Sequence, residues 1–98
     1  MFVHSVYFWL KPGLGERQVA AFRGGLESLA KAPTVTALYV GTPAATDRPI
    51  IDRSYSFALT VVFHDKAAHD AYQTDPVHLA FVDQFGSCWD RVLIYDAD

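Results

Sequence analysis

Along the chain, the hydrophobic residues follow either the alternation typical of a strand or the wider spacing typical of a helix. Four segments are rich in β-branched and aromatic residues, which predicts strands, and three others place apolar residues at helical spacing. The resulting order, β-α-β-β-α-α-β, is typical of a ferredoxin-like α+β protomer whose helices cover one face of a four-stranded antiparallel sheet. The predicted strands are residues 2–10, 34–41, 54–63 and 89–96; the predicted helices run from about 15 to 31, from just after His64, and from near Pro76.

Both faces of this sheet are predicted to be apolar. Along the first strand, Phe2, His4, Val6 and Phe8 alternate with Val3, Ser5, Tyr7 and Trp9. Three helices can cover only one face, so we expect the second face to pack against the same face of another copy. This predicts a homodimer with a barrel-like interior.

Length and charge restrict the class of protein. Ninety-eight residues allow one domain, spanning 1–98. With a net charge of -3 and only eight Lys plus Arg, the chain offers no basic stripe for nucleic acid.

Membrane and compartment signals are also missing from the sequence. No apolar run reaches the roughly 18 residues of a membrane span, and no leader is evident. The single Cys88 cannot form an intrachain disulfide. We therefore expect a cytoplasmic protein without a membrane or nucleic-acid partner.

Two glycines interrupt the first predicted helix. Gly24 and Gly25 each lower helix stability by about 1 kcal/mol relative to alanine. They indicate either a tolerated weakness or a close approach of another element to the helix backbone.

The main candidate for chemistry lies in TDPVHLAFVDQF, residues 74–85. Asp75 suits the N-cap and Pro76 the first helical position, which places His78 in the first turn, on the apolar stripe. There the positive end of the helix dipole favours a neutral imidazole, which could remove a proton next to a carbonyl while Tyr72 donates a hydrogen bond to the carbonyl oxygen. The alternative is a buried histidine that only bonds a core partner such as Tyr72.

Any pocket around His78 and Tyr72 would be lined from the inward faces of strands and helices. His4 shares the sheet face of Phe8, so it either adds a polar group to this pocket or bonds a neighbouring strand. The same pattern also fits a filled core. The predicted lining comprises His4, Phe8, Phe22, Leu26, Leu59, Phe81, Trp89, Val92 and Ile94.

Other chemistries have weaker support, and no metal site is predicted. His64, Asp65, His69 and Asp70 are close in sequence, but the spacing of the two histidines does not place them on one helical face. Cys88 has no adjacent base. The glycines at 13 and 15 lack the third glycine of a dinucleotide-binding loop.

Three stretches, MFVHSVYFWLKPG, YSFALTVVFHDKAAHDAYQTDPVHLAFV and WDRVLIYD, resemble the stress-responsive dimeric α/β barrel (Dabb) family over nearly the whole chain. The resemblance implies a ferredoxin-like protomer, a homodimer through the open sheet face and no obligatory cofactor. A plant polyketide cyclase of the family closes a ring by aldol chemistry with a histidine and a tyrosine, which by motif correspond to His78 and Tyr72. The family often has a histidine just before the proline, where this chain has Asp75.

Three functions follow from these patterns. The first is a cofactor-free cyclase or isomerase acting on a small carbonyl compound. The second is a non-catalytic module that binds a small apolar ligand or contributes to stress tolerance. The third, by analogy with other dimeric ferredoxin-like barrels, is a haem-handling protein or a cofactor-free monooxygenase. An open cavity beside His78 would favour the first, and a filled core the second.

Overall fold

The computed structural model describes all residues, 1–98, and has the predicted order of elements. The ferredoxin-like fold class is confirmed. The strands are β1 (Phe2–Leu10), β2 (Val35–Gly41), β3 (Phe57–Phe63) and β4 (Trp89–Ala97). The helices are α1 (Glu16–Ser28), a 3₁₀ turn (Leu29–Lys31), α2 (Lys66–Thr74) and α3 (Pro76–Phe85).

The strands form one antiparallel sheet in the order β2-β3-β1-β4. β1 is therefore central, and the last strand lies at an edge. Val6 pairs with Leu59 of β3 and with Ile94 of β4. The same register sets His4 opposite Asp96, which brings together two polar residues 92 positions apart.

The helices cover one face of the sheet, and the core lies between them. Alternate residues of β1 and β3 are buried there, as the period of two predicts. Tyr7, Trp9, Leu93 and Tyr95 line a depression on the opposite face, where Tyr95 is 61% exposed. In the single chain, this second apolar face is uncovered.

Two predicted elements differ in detail. The helix predicted for about 15–31 is α-helical to Ser28, whose hydroxyl donates to the Gly25 carbonyl at 2.6 Å, and it continues to Lys31 as a 3₁₀ turn. β3 begins at Phe57 rather than at residue 54. The preceding Ser56 still bonds β1, but partly through its side chain, because its hydroxyl accepts the Leu10 backbone N–H at 2.9 Å.

The two glycines of α1 differ in their surroundings. A methyl group on Gly25 would overlap the ring of Phe85, whereas one on Gly24 would meet nothing within 4 Å. Close approach therefore explains Gly25, and Gly24 has no packing reason to be glycine.

Asp75 joins α2 to α3. Its backbone is extended, with φ -65° and ψ 139°, as the residue before a proline prefers, and this ends α2. Its carboxylate accepts the Val77 N–H at 2.9 Å, so it also caps α3 as predicted. Asp65 caps α2 in the same way by accepting the Ala68 N–H at 2.8 Å.

None of the helices combines the length and the apolar character needed to cross a membrane.

Candidate functional site

A cavity of about 210 Å³ opens between the sheet and the helices. Its walls are apolar or aromatic except at His4, Gln73 and His78. Val82, Val92 and Ile94 line it and are 40–49% exposed, so they mark an apolar mouth beside the edge strand. The complete lining is His4, Val6, Phe8, Leu29, Leu59, Tyr72, Gln73, His78, Phe81, Val82, Trp89, Val92 and Ile94.

His78 reaches the cavity from the first turn of α3. Its Nδ1 lies 3.1 Å from the backbone oxygen of Gln73, which can only accept, so Nδ1 carries the proton. The neutral ring therefore keeps Nε2 unprotonated, in the form that can accept a proton.

The surroundings of His78 favour this neutral form. Burial is the largest influence and lowers the pKa of His78 below its ordinary value of 6.5. His4 and His69 lower the pKa further, whereas the bond to Gln73 and the charge of Asp75 act in the opposite direction. At neutral pH the imidazole is therefore available as a base.

Tyr72 stands beside His78, with the ring centroids 4.7 Å apart. The phenol is 1% exposed, and burial raises its pKa well above the ordinary value of 10.0, so it stays protonated. Tyr72 also lines the cavity, next to His78.

His4 lies at the edge of the same site. It lines the cavity, and its Nδ1 lies 2.5 Å from Asp96 Oδ1 on β4. Its ring centroid is 6.3 Å from that of Tyr72, so it extends the polar group at this end of the cavity.

Two residues predicted to line the pocket lie elsewhere. Phe22 and Leu26 are 0% exposed and pack inside the core, outside the cavity wall. Phe22 packs edge-on against Phe8, with centroids 5.3 Å apart, and is thus one layer farther from the open space. Helical periodicity identifies an inward face but does not say how deep each inward residue lies.

The structure adds four lining residues that the sequence reasoning missed: Val6, Leu29, Gln73 and Val82. Val6 could have been found, since it lies between His4 and Phe8 on the same sheet face. The position of Gln73 in the cavity wall could not be predicted from the sequence, because a polar residue in a helix usually faces solvent.

The acidic and histidine residues near the start of α2 do not form one cluster. His64 is exposed, and Asp65 caps the helix. His69 turns inward, with its ring centroid 5.1 Å from that of His4. Cys88 is half-buried and packs against the core.

The sequence matches a known protein family over nearly its whole length. Residues 2–98 match the model of the stress responsive A/B barrel domain. The chain belongs to the stress responsive A/B barrel domain family.

Solved structures with a similar fold include a member of this family. A Dabb family protein with a ferredoxin-like fold from Mesorhizobium loti is 27% identical, with a TM-score of 0.79 over 99% of this chain and 94% of that one. A dimeric ferredoxin-like protein of unknown function from Thermobifida fusca is 20% identical, with a TM-score of 0.79, covering 98% and 88%.

A neighbour with a named activity has the same fold. Hydroxynitrile lyase from Passiflora edulis is 20% identical to this stress responsive A/B barrel domain, with a TM-score of 0.82 over 98% of this chain and 90% of that one. No curated protein matches the chain in sequence.

Proposed function

We propose that this protein is an acid/base catalyst that acts on a small, largely apolar carbonyl compound, with His78 as the general base and Tyr72 as the hydrogen-bond donor. The observation that carries the proposal is the bond from His78 Nδ1 to Gln73, which leaves Nε2 free beside a protonated phenol. The reaction needs no cofactor.

The proposed step is enolate formation. His78 Nε2 takes a proton from the carbon next to the carbonyl, and the C–H electron pair moves toward the carbonyl oxygen. The Tyr72 hydroxyl stabilises the charge that builds on this oxygen. The enolate then attacks a second carbonyl, as in an aldol ring closure, or is protonated again at another position, as in an isomerisation.

The size and lining of the cavity favour a small substrate. At about 210 Å³ it falls below the roughly 300–1,000 Å³ of typical ligand pockets. Its apolar walls favour an aromatic or aliphatic body over a charged one, and the polar groups lie together at His4, Tyr72, Gln73 and His78. An open cavity beside His78 also favours catalysis over a filled, purely structural core.

We also propose that the working unit is a homodimer. The uncovered face bearing Tyr7, Trp9, Leu93 and Tyr95 is aromatic, and such faces on a small domain favour a partner. The dimeric protein from Thermobifida fusca has the same fold, which supports a second copy of this chain as that partner.

Proton exchange at carbon tests the proposed step whatever product the enolate goes on to form. β-Polyketones and small aromatic ketones in D₂O, followed by proton NMR, should lose their α-proton signals faster with the wild-type protein than with buffer. Cyanohydrins belong in the panel, followed by carbonyl release, because the lyase from Passiflora edulis shares the fold.

Three variants identify the groups responsible. H78A should abolish the acceleration, and Y72F should reduce it by about 10²-fold or more, the loss expected for one oxyanion donor. H64A alters an exposed histidine and should match wild type. Tight binding of a compound without exchange or turnover would instead indicate the ligand-binding module.

A further inference from the structure

Three side chains able to bind a metal meet at one end of the sheet. His4 comes from β1, His69 from α2 and Asp96 from β4, and one ligand atom from each lies within 4.8 Å of the others. His4 Nδ1 is 2.5 Å from Asp96 Oδ1, and His69 Nε2 is 4.0 Å from Asp96 Oδ2. Of the three, only His4 also lines the cavity.

The fold holds these residues in place from three directions. Strand register sets His4 opposite Asp96. The ring of His69 stacks on Phe2, with centroids 4.4 Å apart and an angle of 25° between the rings, which directs it toward the same point. The histidine side chains are only 6% and 12% exposed, whereas that of Asp96 is 39% exposed, so an ion could enter on the Asp96 side.

A second carboxylate, that of Asp70, holds the proton on His69 Nδ1 and so leaves Nε2 able to bind a metal. Asp70 Oδ1 lies 3.0 Å from His69 Nδ1 and can only accept, so Nδ1 carries the proton and Nε2 has a free lone pair. Lys66 bonds the other Asp70 oxygen at 2.7 Å. Histidine ligands in metal sites are usually held by a carboxylate or carbonyl on the opposite nitrogen in this manner.

The free nitrogen of His69 is already used as an acceptor. The Gln73 side-chain amide donates to Nε2 at 3.0 Å. This bond satisfies the lone pair in the absence of an ion, and a metal would replace the amide.

We propose that His4, His69 and Asp96 form a binding site for a divalent first-row metal ion, with Zn²⁺ as the best match. Two imidazoles and one carboxylate suit Zn²⁺ better than Mg²⁺ or Ca²⁺, which prefer oxygen ligands. The site is separate from the proton-transfer pair His78 and Tyr72 and goes beyond the proposed function.

Binding requires small local changes. The ion takes the place of the hydrogen between His4 Nδ1 and Asp96, and the neutral His4 ring then carries its one proton on Nε2. The Asp96 carboxylate rotates outward so that nitrogen and oxygen ligands lie about 2.0–2.2 Å from the ion. Three protein ligands leave the fourth position of a tetrahedral ion to water.

Titration calorimetry with ZnCl₂ on metal-stripped protein tests the site. Wild type should bind one Zn²⁺ per chain, and MgCl₂ should give no signal. H69A and D96N should weaken binding by more than about 100-fold, and D70N by about 10–100-fold, the range for changes to residues that support a ligand. Zinc should also raise the melting temperature of wild type and not that of H69A.

The two remaining histidines of the chain provide the controls. H64A and H78A should bind Zn²⁺ as wild type does, and unfolding curves without metal establish that each variant is folded. The proposal is overturned if wild type shows no saturable binding, or if H64A weakens binding as much as H69A does. H78A separates the two proposals, because it should lose proton exchange and keep zinc.

Discussion

His78 Nδ1 lies 3.1 Å from the backbone oxygen of Gln73, and this contact ties the first turn of α3 to the last turn of α2. The carbonyl of Gln73 is among the last four of α2, which have no partner inside their own helix. One bond therefore satisfies a helix end and fixes the proton on Nδ1. The same interaction serves the structural and the catalytic interpretation of His78, so the two must be separated by experiment.

Stability should depend on pH through His78. The folded chain has a lowered pKa for His78, so the unfolded chain binds more protons below pH 6.5, and stability falls as the pH is lowered from there toward the folded pKa. H78Q should lose this part of the pH dependence. Urea unfolding of both proteins across this window measures it, and identical slopes would contradict the lowered pKa.

The neighbouring glycines of α1 should respond in opposite ways to alanine. G25A forces a methyl group against the Phe85 ring and should destabilise the fold by about 1–3 kcal/mol, as overpacking does. G24A meets open space and should stabilise the helix by about 0.5–1 kcal/mol. Urea unfolding compares the two, and an equal gain from both would show that Phe85 does not pack against α1 as described.

Trp9 should matter more for dimer formation than a helix residue on the other side of the sheet. It lies on the open face, where its Nε1 donates to Ser54 at 3.1 Å and the Arg91 guanidinium lies 4.0 Å from the ring centroid. Aromatic anchors carry much of the energy of an interface core, so W9A should raise the dimer dissociation constant.

R17A is the matched control for W9A, because Arg17 is exposed on α1. Sedimentation velocity over a dilution series gives the dissociation constants. A folded wild-type chain that stays monomeric at micromolar concentration would contradict the dimer, and equal effects of W9A and R17A would contradict this interface.

The sequence predicted most of the fold because its signals are local. β1 has the predicted bounds, and Asp65 and Asp75 cap the predicted helices, since capping depends on residues only two or three positions away. The start of β3 predicted at residue 54 is too early. Ser56 bonds β1 partly through its side chain, and the regular strand begins only at Phe57.

The site was only partly predictable for a physical reason. Tyr72 lies in α2 and His78 in α3, only six positions later, and the turn at Asp75 between the two helices brings their rings together. The meeting of His4, His69 and Asp96 depends on strand register and on how α2 crosses the sheet, which no local pattern contains. Depth within a layer is likewise a tertiary property, which is why Phe22 was wrongly placed in the cavity wall.

The most direct test of His78 as a base is a paired measurement of turnover and unfolding free energy for wild type and H78A. We predict that H78A abolishes proton exchange or turnover on the carbonyl panel while the protein remains a folded dimer. Wild type without activity on any compound, together with a loss of about 1–3 kcal/mol in H78A from leaving the Gln73 carbonyl without its partner, would contradict the catalytic role.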